Sequence, residues 1–155
     1  MSFPVVTSPE TIDYNCFAWA AEENTRRWEP DPMNIYFWPP NIPREFTLES
    51  FITAYATLGY RHCHNADLEN GYQKIAIYVG KDGKPEHVAR QLPNGNWTSK
   101  LGDSYDVEHE FITNWISKNK YWVNVKCLNL SGYGKLGCIL KKQFSSVSPT
   151  PPANP

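Results

Sequence analysis

Hydrophobic positions along the chain keep two rhythms. Over 47–58, Leu48, Phe51, Ile52, Tyr55 and Leu58 recur at helical spacing, Thr47 can cap the start and Gly59 can end the run. The Thr47–Ser50 interval lacks the Glu of a full capping box. A second helix is expected over 13–23, opened by Asp13 and carrying Phe17, Ala18, Trp19, Ala20 and Ala21. After residue 60 the period changes to two. Residues 60–64, 73–79, 86–92 and 97–101 read as strands. Asp82-Gly83 and Asn94-Gly95 are turns that tolerate positive φ. The last three strands should form an antiparallel meander with short links.

Between the two helices, 26–44 carries Trp28, Pro30, Pro32, Trp38, Pro39, Pro40 and Pro43. The prolines forbid regular helix and the aromatics argue for packing, so an irregular loop over the core or beside a cleft is expected. Beyond the meander, 107–117 reads as helix and 121–128 as strand or late helix. The run 137–142 leaves the same choice open. Residues 145–155, rich in Pro and Ser, read as a disordered tail after a single domain spanning 1–144. The expected core is Phe17, Ala20, Leu48, Phe51, Ile52, Tyr55, Leu58, Ile75, Ile77, Val79, Val88, Leu92 and Ile112.

Composition narrows the function classes. A chain of 155 residues, 41% apolar and 14% aromatic, can bury one good core. A formal charge of -1 gives no general pull toward nucleic acid or an anionic membrane, and neither is expected as a partner. The N-terminus shows no basic region followed by an apolar stretch. No apolar run approaches the roughly 20 residues of a membrane helix. The expected location is cytoplasmic, or outside the cell by a route without a cleaved signal. No cofactor is implied.

Four cysteines, Cys16, Cys63, Cys127 and Cys138, lack CxxC spacing, so neither a zinc ribbon nor a thioredoxin-type motif is present. His62 and His64 sit at i, i+2 and can share a strand face, with Asp67 or Glu69 as possible third ligands. No metal site is assigned there. Cys16 differs from the other thiols in position. It falls in the first turn of the expected helix, where free backbone N–H groups lower a thiol pKa. A thiol nucleophile also needs a base, and the base needs a third group to hold it. His87, near the start of a strand, is the candidate base.

The stretch Tyr14-Asn15-Cys16-Phe17-Ala18-Trp19-Ala20 is similar to the helix-opening Cys motif of NlpC-type and CHAP-type peptidases of the papain-like superfamily. It resembles more closely a group of uncharacterised bacterial proteins sharing Tyr-Asn-Cys, Trp-Pro-Pro (Trp38-Pro39-Pro40) and a His-x-Ala-Arg-Gln…Trp-Thr-Ser-Lys-Leu-Gly block, here His87 to Gly102. The resemblance covers roughly residues 12 to 142. It implies a papain-like α+β fold, with the Cys-bearing helix packed on an antiparallel meander, and a catalytic set of Cys16, His87 and Ser99. Ser99 departs from the His, Asn, Gln or acid usual at the third position. His109 and Asp106 are rival orienters. Asn15, where many relatives carry Asp, and Tyr14 are candidate oxyanion donors, beside the Cys16 N–H. The implied activity is hydrolysis of a peptide or isopeptide bond through a thioester. The implied substrates are a peptide, a protein or a peptidoglycan-like chain. The alternative is a non-catalytic binding or assembly module, or a toxin-like effector of the same fold, with the Trp- and Pro-rich loop as contact surface and a protein as partner.

Overall fold

The computed structural model describes residues 5–8, 14–100, 106–111 and 135–144. It is α+β, built on a seven-stranded sheet in the order β1-β6-β5-β4-β3-β7-β2. The strands are β1 (Val5–Ser8), β2 (Arg61–Cys63), β3 (Tyr72–Val79), β4 (Pro85–Gln91), β5 (Trp97–Lys100), β6 (Asp106–His109) and β7 (Lys135–Gln143). Every neighbouring pair is antiparallel. The helices are α1 (Cys16–Ala20) and α2 (Leu48–Ala56).

Thr47 caps α2 through its hydroxyl, which accepts from Ser50 N at 3.1 Å. The helix buries Phe51, Ala54 and Tyr55. Tyr55 donates its phenol to the Phe17 carbonyl at 2.8 Å, and Phe17 meets Phe51 edge-on at 4.8 Å between centroids. One core therefore joins α1 and α2 to Ile75, Ile77, Val88 and Leu140 on one face of the sheet. Trp28 and Trp38 complete it: Trp28 stacks on Tyr55 and Trp38 tilts against Phe51. The Trp- and Pro-rich loop is thus packed on the core, as its aromatics require.

Several expectations need correction. Helix α1 is only five residues, capped by Asn15, so the helix expected over 13–23 is shorter; Asp13 lies outside the described residues. The start of 107–117, expected as helix, is strand: Asp106–His109 form β6 because β5 and β1 offer it ladders on both edges. The undecided run around 137–142 is strand β7, inserted between β3 and β2. Leu92, expected in the core, is only partly buried at the edge of a cleft, and Leu48, Ile52 and Leu58 pack against the core while staying partly exposed. The expected elements at 121–128, Ile112, Cys127 and the tail lie outside the described residues.

Candidate functional site around Cys16 and His87

Asn15 sets the start of α1. Its side-chain oxygen accepts from Ala18 N at 3.1 Å and from Trp28 N at 3.0 Å, while its amide donates to Trp28 O at 2.7 Å. One buried side chain therefore caps the helix and fastens the Trp loop to it. Cys16 follows as the first helical residue and is 6% exposed. Backbone N–H groups of Val88, Phe17 and Cys16 itself donate toward its sulfur, with Arg27 adding a favourable charge. Burial outweighs them all and pushes the thiol up to about 12. The lowered pKa expected from the helix start is not realised, because desolvation of a thiolate exceeds what a few N–H dipoles return.

His87 is fully buried on β4. Its Nε2 lies 2.9 Å from Ser99 Oγ, and the same oxygen lies 2.7 Å from Nε2 of His109. His109 Nδ1 lies 2.7 Å from the Glu110 carbonyl oxygen. Strand register creates this chain. Gln91 pairs with Trp97 and Trp97 with His109, so the odd-numbered residues of β4, β5 and β6 share one face. Burial lowers the pKa of both imidazoles: His87 falls well below the ordinary value and His109 to about 4. Proximity to His109 lowers His87 further.

Thiol and imidazole reach β4 at adjacent residues. Alternation turns Val88 into the helix-side core, paired with Ile77, and His87 to the other face, paired with Tyr78, whose ring lies 5.9 Å away. Between β4 and β5 the ladder pairs Arg90 with Thr98 and Gln91 with Trp97, and extends no further among the described residues. Beyond it, the Val88 N–H serves the Cys16 sulfur. Arg90 holds α1 against this edge: its guanidinium lies 4.3 Å over the Trp19 ring and donates to Trp19 O at 3.3 Å.

The remaining candidates divide. Ser99 and His109, weighed as rivals, stand in series on one chain. Asp106 belongs to β6, and its side chain lies outside the description. Asn15 spends its side-chain hydrogen bonds on the cap and on Trp28, and Tyr14 is buried in a stack on Trp19 at 5.7 Å. His62 and His64 are exposed on and beside β2. Glu69, a possible third ligand there, instead pairs with Lys141 at 3.0 Å and Lys74 at 3.5 Å. No group of three metal-ligating side chains forms among the described residues. A cleft of about 340 Å³ opens beside Leu68, Tyr72, Gln91, Leu92 and Phe144, without Cys16 or His87 in its wall.

Two participants were beyond sequence reasoning, because both are main chain: the Val88 N–H and the Glu110 carbonyl. Register alone brings them in, and no side-chain motif marks register.

An antiparallel α+β domain with a buried thiol on one face of β4 and a His-Ser-His chain on the other is the class that fold and site define. The chain belongs to the family described as Domain of unknown function (DUF7689), whose model matches residues 5–141. Neither a curated protein nor a solved structure matches it. Among the described residues no helix is long and apolar enough to cross a membrane.

Proposed function

We propose that the chain is a cysteine hydrolase, papain-like in arrangement, that cleaves an amide bond through a thioester on Cys16. The observation that carries this reading is a buried thiol at the start of α1, packed in one core cluster with Val88, the neighbour of a histidine whose ring is fixed by Ser99. The reaction requires sulfur and ring, which face opposite sides of β4, to converge; His87 then takes the thiol proton as sulfur attacks the carbonyl, and returns it to the leaving amine. Water then cleaves the thioester. Backbone N–H groups around the sulfur support the oxyanion. With the thiol pushed up and the imidazole pushed down, the resting pair is neutral. Proton transfer belongs to the attack itself, not to a preformed ion pair. Because both groups are buried, the residues around them must move before substrate reaches them.

The test uses p-nitrophenyl acetate, a small activated acyl donor, with intact-mass and peptide mapping. Acetylation at Cys16 is expected, slowed about 100-fold or more in His87→Ala, the usual size of a general-base contribution. Acetylation that spares Cys16, or that proceeds equally fast without His87, ends the reading.

One observation favours the binding-module alternative. Met33 and Ile35 are 75% and 70% exposed at the tip of the Trp- and Pro-rich loop. The loop beneath them is stiff. Asp31 accepts from Ile35 N and Tyr36 N, and Arg44 donates to Asp31 and to the Tyr36 carbonyl. Two apolar side chains held out on a braced loop suit contact with a protein partner. This reading expects Met33→Glu with Ile35→Glu to change unfolding free energy by no more than about 0.5 kcal/mol. A larger loss in denaturant titration would assign the pair to the fold instead.

A further inference from the structure

We infer that His109 and Ser99 are positioning residues that hold His87 in its Nε2–H tautomer, through a one-way chain of hydrogen bonds ending on the Glu110 carbonyl. The consequence for chemistry rests on the hydrolase reading above; the tautomer itself does not.

The direction follows from counting protons. A carbonyl oxygen only accepts, so the 2.7 Å contact to Glu110 O requires the proton on His109 Nδ1. A neutral imidazole carries one N–H, so His109 Nε2 holds a lone pair and must accept. Its partner at 2.7 Å is the Ser99 hydroxyl, which therefore donates to it. That hydroxyl has one proton, now committed, so toward His87 its oxygen can only accept. The 2.9 Å contact then places the proton of His87 on Nε2. The lone pair of His87 is left on Nδ1. Running the chain the other way would set the lone pair of His109 Nδ1 against the carbonyl oxygen at 2.7 Å, acceptor against acceptor. Burial keeps His109 neutral near pH 7, since its pKa falls to about 4.

In the proposed reaction this fixes which nitrogen works. The S–H bond of Cys16 breaks, an N–H bond forms at His87 Nδ1, and the ring becomes imidazolium. The Nε2 proton stays on its Ser99 bond, because Ser99 already spends its own proton on His109 and the carbonyl beyond cannot receive one. Ser99 thus needs no carboxylate's strength at the third position. It borrows direction from a second histidine.

The experiment is a long-range ¹H–¹⁵N correlation spectrum of the full chain labelled with ¹⁵N-histidine, at pH 7, for the natural sequence and two variants. The natural protein is expected to show His87 as the Nε2–H form. His109→Phe removes the acceptor and should shift the His87 tautomer ratio about tenfold toward Nδ1–H, the weight of one ordinary hydrogen bond. His109→Gln, whose amide oxygen can still accept from Ser99, should restore it. Where turnover is measurable, kcat should fall about tenfold in the Phe variant, with KM unchanged and kcat recovered by Gln. Should the Phe variant fail to fold, Ser99→Ala must give the same tautomer shift. An Nδ1–H form of His87 in the natural protein overturns the inference, as does a ratio indifferent to both substitutions. If the tautomer is as stated while Cys16 resists acylation, the hydrolase reading fails and the inference stands.

Discussion

Asn15 shows how much a single side chain can carry. It caps α1 and closes two hydrogen bonds on the Trp28 backbone, all in the interior. Removing a cap costs about 1 kcal/mol, and leaving buried backbone groups unpaired costs about 1–3 kcal/mol. Asn15→Ala should therefore lose about 2–4 kcal/mol in urea titration; a loss below about 1 kcal/mol would mean that water replaces the amide. Asp at this position can accept but has no N–H for the Trp28 carbonyl, which is a structural reason for Asn. The sequence points to Asp13 as the cap and to Asn15 as an oxyanion donor, and the structure gives the cap to Asn15. The sequence does not mark Trp28 as the partner, because Trp28 lies thirteen positions along, past α1 and into irregular loop, and leaves no periodic trace.

At the scale of elements, the meander was plain in the sequence and the ends of the sheet were not. Strands β3, β4 and β5 alternate and are joined by Asp-Gly and Asn-Gly turns, with Gly83 and Gly95 at positive φ. Such links fix register locally. β7 comes from far along the chain and pairs with β3 by a long-range choice, so its short apolar run fits helix as well as strand until the partner is known. Its register also slips once: Ile77 faces Cys138 and Tyr78 faces Leu136, leaving Gly137 as the extra residue. A Cβ there would lie 2.9 Å from Val79 Cγ1 and 3.1 Å from the Ile77 carbonyl oxygen. Gly137→Ala is expected to cost about 1–3 kcal/mol by overpacking. An unchanged unfolding midpoint would show that the bulge relaxes around the methyl. The candidate site was half legible for the same reason. Cys16, His87 and Ser99 carry motif signals, whereas the serial placement of Ser99 and His109 depends on β6, which the local pattern assigns to helix.

For the molecule as a whole, burying two neutral histidines ties stability to acid. The ordinary histidine pKa is near 6.5, and in the folded chain His109 sits at about 4 with His87 also depressed. The unfolded chain binds protons that the folded chain refuses, so the stabilising difference is complete above about pH 6.5 and is lost as pH falls toward 4. His109 alone should remove about 2 kcal/mol by pH 5. The thiol acts at the other extreme: Cys16 rises to about 12 when folded, so its contribution is whole below about pH 9 and disappears as pH climbs toward 12. Urea titrations at pH 7 and pH 5 check the acid limb. A flat profile between them would mean that the interior admits the proton or water. His109→Gln should flatten part of the slope.

The anchor of the histidine chain is a peptide oxygen, and this decides what can vary around it. Glu110 is itself exposed, and its carboxylate takes no part in the contact. Every amino acid brings the same carbonyl to that place, so drift at position 110 should leave His87 oriented as before. Insertion or deletion of one residue within β6, between Asp106 and His109, would not be forgiven. It would turn the ring at position 109 to the far side of its strand and break the polarity of the chain at its source.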